Sequence, residues 1–258
     1  MKPTKFKDLF SSNSKRYSSS RPKYPRSLFE FLVALVQHRN LAWDCATGSG
    51  QAAVVLSEYF EQVIASDASK EQIENAQPRN NILYEVFPAE RTSFADSSVD
   101  LITIAQALHW FDLDDFYKEA KRVLRKDVND NGAGVIAAWA YGLHSVSVEV
   151  DDIMHLLYEV ILGSYWPKER KIVENKYQDI PFPFHEIDTP VFQIELRWSL
   201  SELIGYLYTW SSIQKFIQRN NSDPVEQVYD DLAAAWGDKN TWHKRKVVWP
   251  IYMRVGRS

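Results

Sequence analysis

The chain has few of the residues that form disulfides in secreted domains or that bind metal ions. Among its 258 residues there is one cysteine, Cys45, which can form neither an intramolecular disulfide nor a zinc cluster. The six histidines show none of the spacings of a metal site; they are His38, His109, His144, His155, His185 and His243. We therefore expect no bound metal and no dependence on an oxidising compartment.

Long apolar runs are also missing. No segment approaches the roughly 18 apolar residues of a membrane span, and the start of the chain lacks the apolar core of a signal peptide. A net charge of −4 and a pI of about 5.9 give no overall attraction for nucleic acid. The short basic run at 243–246 is typical of a solvated turn. These absences predict a cytoplasmic protein that acts without nucleic acid or membrane.

The sequence does contain a regular alternation of short apolar runs and helical stretches. Strands are predicted at 41–46, 62–66, 82–87, 99–105 and 133–140. Helices are predicted between them at 51–60, 70–76 and 114–125. Strand and helix repeated in this order predict an α/β fold, with a parallel sheet covered by helices on both faces.

From about residue 141 the alternation breaks. A helix is expected over 150–162, a strand over 191–198 and a helix from 199 to about 218, capped by Ser199. The sequence therefore predicts four regions. A mobile N-terminal arm covers 1–24 and a ligand-binding core covers 25–140. A cap or substrate region covers 141–245, with a core strand near 191–198, and a closing sheet strand covers 246–258.

A glycine-containing loop joins the first strand to the first helix. Gly48 and Gly50 allow a tight turn and a close approach to a ligand, and Asp67 ends the second strand, where a carboxylate can accept hydrogen bonds from ribose hydroxyls. The same pattern describes a dinucleotide site. Asp44, at the mouth of the loop, opposes a pyrophosphate and suits the ammonium of a methionine moiety. Its alternative role is to cap the turn.

The motifs together resemble the class I S-adenosylmethionine-dependent methyltransferases, and more narrowly the branch that includes the trans-aconitate methyltransferases, a branch known as methyltransferase type 11. The resemblance covers nearly the whole chain. It rests on the segments at 17–25, 44–50, 88–90, 97–100, 106–111, 116–124, 134–139 and 209–212. It implies a Rossmann-like sheet, parallel with an antiparallel closing strand, and a helical cap insertion. The implied cofactor is S-adenosylmethionine, with S-adenosylhomocysteine as product.

The resemblance also assigns roles to individual residues. The residues expected to contact the methionine end of the cofactor are Asp44, Ala46, Gly48, Gly50, Gln51 and Gln106. Asp67 and Ala68 are expected to contact the ribose, and Ala89 and Glu90 the adenine. Tyr17 and Arg21 are expected to fold over the cofactor.

Two positions depart from the family pattern. Ala46 stands where the first loop glycine is usual, which is acceptable only if the backbone there does not need a positive φ. Pro88 stands where many relatives have an aspartate for the adenine amino group, and proline offers neither a carboxylate nor a backbone donor. Both changes bear on cofactor affinity.

The nearest part of the family implies a carboxylic acid as the methyl acceptor. A carboxylate is ionised at neutral pH and needs no general base. His109 follows the fourth strand, where it can orient an acid, deprotonate a hydroxyl, or simply pack against Trp110 and Phe111. Arg197, Arg170 and Lys168 are candidates to bind the substrate carboxylate, and the sequence does not choose among them.

Other functions stay open at this point. The acceptor can be a phenol or an amine instead of an acid. The altered positions Ala46 and Pro88 are compatible with a cofactor-binding protein that has lost catalysis. The glycine loop and Asp67 alone are compatible with an NAD-linked oxidoreductase. The oligomeric state is not indicated.

Overall fold

A computed structural model describes residues 21–126, 132–237 and 243–257. The strands of its sheet are β1 (Leu41–Cys45), β2 (Gln62–Asp67), β3 (Ile82–Val86), β4 (Leu101–Ala105), β5 (Val135–Tyr141), β6 (His185–Glu186), β7 (Phe192–Trp198) and β8 (Arg245–Arg257). Their order is β3-β2-β1-β4-β5-β8-β6, and β7 also pairs with β8. The first five strands are mutually parallel, whereas β8 is antiparallel to its three partners. The predicted antiparallel closing strand is confirmed.

Helices cover the sheet and form the cap. They are α1 (Arg26–Leu35), α2 (Gln51–Leu56), α3 (Lys70–Glu74), α4 (Leu113–Val123), α5 (Val148–His155), α6 (Arg170–Glu174), α7 (Leu200–Leu207), α8 (Ser211–Asn220) and α9 (Glu226–Trp236). Short 3-10 turns lie at Leu108–Trp110 and Gly163–Tyr165.

The sheet separates two hydrophobic cores. All seven residues of β5 are buried, and alternate residues point to opposite faces of a strand. Val135, Ala137 and Trp139 pack with α1, α2 and the cap. Ile136 and Ala138 pack on the other side with α4. The predicted sheet with helices on both faces is therefore confirmed.

The second half of the chain differs from the predicted helices. Two helices, α7 and α8, replace the single helix expected over 199–218, and the break at Tyr208–Trp210 places Trp210 in the core. Ser199 caps α7 as predicted, in a capping box with Glu202. The helix expected over 150–162 is α-helical only to His155 and continues as a π-helix, Leu156–Ile161.

The π-helix has a local hydrogen-bonding consequence. Leu162 N–H donates to the Leu157 carbonyl, five residues back, and the Tyr158 carbonyl accepts a bond of 2.9 Å from the Trp166 indole. Single-turn π segments are frequent at functional sites. The sequence could not show this π-helix, because the apolar period does not record a local change in the hydrogen-bond pattern.

In the part of the chain that the structure describes, no helix is long and apolar enough to cross a membrane. The mobile arm predicted over 1–24 falls largely on residues outside that part, and so does Tyr17.

His144 makes stability dependent on pH. Its side chain is 3% exposed and lies among the rings of Tyr206, Trp210 and Trp249. Burial lowers the pKa of His144 to about 4, below the unfolded value of about 6.5. Its contribution to stability is therefore complete above pH 6.5 and is lost as the pH falls towards 4.

We predict that His144→Phe loses less stability than the wild type between pH 7 and pH 4.5. The difference is about 3 kcal/mol over the full window, since one pKa unit corresponds to about 1.4 kcal/mol. Urea unfolding at both pH values measures it, and other groups titrate equally in both proteins. Equal losses in the two proteins would contradict the assignment.

Candidate active site

The loop after β1 is held in a strained conformation. Gly48 and Gly50 have positive φ angles of 57° and 84°, and Ala46 has a φ of 54°. Position 46 therefore has the positive φ that favours glycine, and the condition under which alanine is acceptable there is not met. Left-handed backbone costs a residue with a Cβ about 1–2 kcal/mol, which the surrounding bonds offset. Thr47 N–H donates to the Ser66 carbonyl at 2.8 Å, and Gly50 N–H to the Thr47 carbonyl at 3.0 Å.

Tyr84 lies against this loop, a contact that no motif in the sequence predicts. A Cβ at Gly50 would clash with the Tyr84 hydroxyl, so a larger residue there would displace the Tyr84 ring as well as strain the backbone. The Tyr84 hydroxyl donates to the Gln77 carbonyl at 2.8 Å. Position 84 is simply one of several residues on β3, and only the tertiary fold brings its ring to the loop.

Asp44 is buried at the centre of the loop and is 1% exposed. One carboxylate oxygen accepts from the Thr103 hydroxyl, and the other from the Thr47 hydroxyl and Ala53 N–H. Burial raises the pKa of Asp44 to about 6, against the effect of these hydrogen bonds. The structure thus gives Asp44 the turn-capping role, and its contact with a methionine ammonium stays a prediction.

Asp67 stands at the end of β2, beside the loop. Its two oxygens accept from the backbone N–H groups of Gly48 and Ser69, each at 2.9 Å. A carboxylate has about four acceptor sites, so these bonds leave capacity for ribose hydroxyls. Ala68 follows at an exposed position.

The residues predicted for adenine lie at the end of β3. Pro88 is exposed and Ala89 is buried. Glu90 accepts a bond of 3.1 Å from Asp112 N–H, at the start of α4. Glu90 therefore ties this turn to the helix, whatever else it contacts.

Gln106 ends β4 in a left-handed conformation, with a φ of 61°. Its N–H donates to the Trp139 carbonyl at 2.8 Å. Its side-chain Nε2 is buried and has no hydrogen-bond partner among the described residues. A buried donor without a partner costs about 1–3 kcal/mol, and a bound ligand with an acceptor removes that cost.

A pocket opens between the core and the cap. The space between its walls, including open solvent at its mouth, is about 620 Å³. Its aromatic lining residues are Trp110, Tyr141, Trp166, Tyr206 and Trp210. Its polar lining residues are Arg21, Gln106, His109, Arg170 and Ser211. Among the described residues, this lining contains two cationic side chains and no carboxylate.

His109 lies in the wall of this pocket. Its Nδ1 is 3.1 Å from the Tyr177 hydroxyl, and its ring centroid is 4.8 Å from that of Trp110. Burial lowers the pKa of His109 to about 3, and the charge of Arg170 adds to the effect. The imidazole is neutral at physiological pH and is a weak base. Both packing and orientation of a substrate are compatible with its position.

The structure separates the three candidates for carboxylate binding. Arg170 lines the pocket, whereas Lys168 and Arg197 are exposed and do not. Arg197 lies on β7. The sequence could not make this choice, because the three residues belong to different elements whose packing it does not specify.

Comparison with known proteins gives consistent matches. A family profile described as a methyltransferase domain matches residues 43–128. A protein of Dictyostelium discoideum named as a methyltransferase is 38% identical, over 99% of this chain and 97% of that protein. A solved structure from Anaeromyxobacter dehalogenans, named as a type II methyltransferase, is 43% identical with a TM-score of 0.84, over 92% of this chain and 97% of that one. A Saccharomyces cerevisiae protein named as an S-adenosylmethionine-dependent methyltransferase is 23% identical, over 82% of this chain and 83% of that protein.

The fold, the loop and these relatives define a methyltransferase. The chain belongs to the class I S-adenosylmethionine-dependent methyltransferase family, whose cofactor is S-adenosylmethionine. The family decides between the two cofactors that the glycine loop left open.

The residues present fit this cofactor. The loop is bordered by the carboxylates of Asp44 and Asp67, and the charge of Asp67 contributes to the raised pKa of Asp44. The anion of Asp44 opposes a pyrophosphate and is compatible with an ammonium group, and an acid at the end of β2, such as Asp67, is compatible with a ribose. The buried Nε2 of Gln106 supplies a donor. We expect Asp67 to bind the ribose, and the remaining cofactor contacts stay predictions.

We predict that Ala46→Gly raises the free energy of unfolding by about 0.5–1 kcal/mol, because glycine adopts the left-handed conformation without a steric penalty. Ala52→Gly, in α2, is the matched control and lowers stability by about 1 kcal/mol or more. Denaturant unfolding measures both changes. A loss of stability in Ala46→Gly would show that the backbone at 46 is not strained.

We further predict that Asp67→Asn weakens S-adenosylmethionine binding about tenfold, or about 1.4 kcal/mol. The amide keeps one acceptor oxygen but loses the charge that strengthens hydrogen bonds from ribose hydroxyls. Calorimetric titration measures the change, with the exposed Glu71→Gln as control. An unchanged affinity would place the ribose elsewhere.

Proposed function

We propose that the protein transfers a methyl group from S-adenosylmethionine to a carboxylate oxygen of a small molecule bound in the pocket between core and cap. The observation that carries this proposal is the charge of the pocket lining. Arg21 and Arg170 contribute positive charge, and none of the described residues that line the pocket is acidic. An amine substrate, protonated in water, is opposed by such a lining, whereas an acid is attracted.

Arg170 is oriented for this role. Its Nε donates to the Tyr158 hydroxyl at 2.7 Å, and that hydroxyl donates to Glu174 at 2.7 Å. No carboxylate of the described residues forms an ion pair with Arg170 within 4.0 Å. Arginine binds carboxylates through paired N–H groups. We infer that Arg170 holds the substrate carboxylate.

The cofactor supplies an electrophilic methyl group on a sulfonium. A carboxylate oxygen attacks the methyl carbon, the carbon–sulfur bond breaks, and its electron pair stays on sulfur. No proton moves in this step, so the low pKa of His109 is no obstacle. The chain aligns and dehydrates the acid: Arg170 fixes the carboxylate, and the aromatic walls exclude water. Alignment alone can contribute about 7–11 kcal/mol.

A phenol places a different demand on the site. Its hydroxyl must lose a proton, and a histidine with a pKa of about 3 accepts one poorly. The structure therefore favours the acid over the phenol for the same pocket. The expected cytoplasmic location and the independence from nucleic acid stay predictions.

The test is incubation of the protein and S-adenosylmethionine with small acids, phenols and amines, followed by mass analysis before and after mild base. We expect a base-labile methyl ester. Arg170→Gln lowers kcat/KM for the acid about 10- to 100-fold, since a hydrogen bond to a charged group is worth about 1.5–3 kcal/mol.

Arg197→Gln is the matched control, because Arg197 is exposed on β7 outside the pocket, and it leaves kcat/KM unchanged. A base-stable methyl ether or methylamine as the only product would refute the acid proposal. Cofactor binding without turnover of any class of acceptor would favour a protein that has lost catalysis.

A further inference from the structure

Three of the aromatic residues that line the pocket, Trp166, Trp210 and Tyr206, form one continuous cluster. Ring centroids lie 5.4 Å apart for Trp166 and Trp210, and 5.8 Å apart for Tyr206 and Trp210. Trp210 is 5% exposed and Tyr206 is 3% exposed. Faces and edges of fixed rings favour a flat apolar partner, because aromatic pairs gain from offset and edge contacts beyond the area they bury.

The arginine and the ring wall share one support. The Arg170 guanidinium carbon lies 5.3 Å from the ring centroid of Trp166 and 5.6 Å from that of Tyr158. The Tyr158 hydroxyl accepts from Arg170, and the Tyr158 carbonyl accepts from Trp166. Tyr158 lies in the π-helix. Tyr158 therefore fixes the distance between the Arg170 guanidinium and the Trp166 indole.

Among the described lining residues, Arg170 is the arginine that we assign to the substrate. Its Nε bonds to Tyr158, and the two terminal nitrogens carry the remaining four of its five N–H groups, enough for one carboxylate. Arg21, which we expect to contact the cofactor, donates to the Tyr141 hydroxyl at 2.7 Å, with its guanidinium 5.9 Å from the Tyr206 ring. The other described polar residues of the lining, Gln106, His109 and Ser211, are uncharged. A second substrate carboxylate would have no cationic partner among them, and an unpaired anion is strongly disfavoured.

We propose that the substrate is a monocarboxylic acid with a flat, apolar body that contains an aromatic ring, and not a polycarboxylic acid. The carboxylate binds Arg170, and the flat body lies against Trp166 and Trp210. This inference rests on the proposed function, and it narrows the class of acid.

Three matched probes test it: 3-phenylpropenoate, the same acid with a second carboxylate at ring position 4, and 2-butenoate, which lacks the ring. Methyl ester formation with S-adenosylmethionine gives kcat/KM for each. We expect 3-phenylpropenoate to exceed both other probes by at least about tenfold, since burying a phenyl ring contributes several times RT.

Two variants of Trp166 separate the ring from its hydrogen bond. Trp166→Phe and Trp166→Leu both lose the bond to the Tyr158 carbonyl, but only Trp166→Phe keeps an aromatic face. We expect Trp166→Leu to raise KM for 3-phenylpropenoate further than Trp166→Phe, and the two variants to have similar KM values for 2-butenoate.

The outcomes distinguish this inference from the proposed function. Faster esterification of the dicarboxylate or of 2-butenoate would overturn the inference while leaving carboxylate methylation in place. Equal effects of the two Trp166 variants on 3-phenylpropenoate would also overturn it. Methylation of a phenol with no ester from any of the three acids would overturn both.

Discussion

The site depends on one buried carboxylate. Asp44 joins three parts of the chain: the loop through Thr47, the first turn of α2 through Ala53, and the neighbouring strand β4 through Thr103. Burying an anion without partners is costly. The three hydrogen bonds offset only part of this cost, and burial therefore still raises the pKa of Asp44. Because these bonds fix where the loop begins and where α2 starts, they fix the turn between them.

The strain in the loop follows from that constraint. With its start held by Asp44 and its end by α2, the backbone reverses within a few residues, and Ala46, Gly48 and Gly50 all take positive φ angles. Asp67 then reaches Gly48 N–H from the end of β2. Two carboxylates thus hold the loop from both sides, and one of them, Asp44 at the mouth of the loop, opposes a pyrophosphate. Stability of the loop and selectivity for the cofactor have a common origin.

The first half of the fold could be predicted because its signals are local. A fully buried parallel strand such as β5 is visible in the sequence as a continuous apolar run. Gly48 and Gly50 likewise indicate the turn that follows β1. The cap could not be predicted in the same way. The break between α7 and α8 places Trp210 in the core, and the π-helix contains Tyr158, whose carbonyl accepts a bond from the Trp166 indole. Both features involve specific side-chain contacts, which periodicity does not record.

The residues of the pocket could be predicted from the sequence only in part, for the same reason. The sequence predicts His109 from its place after β4, where open α/β sheets bind ligands, and the family resemblance implies Gln106. Arg170 is one of three candidates in the sequence, because what distinguishes it is its contact with Tyr158 and Trp166. Under the proposed function, substrate choice therefore resides in the part of the chain whose geometry is set by tertiary packing, whereas cofactor choice resides in the part that local sequence specifies. The cap can change its side chains without disturbing the Asp44 bonds, and the acceptor can change while the methyl donor stays the same.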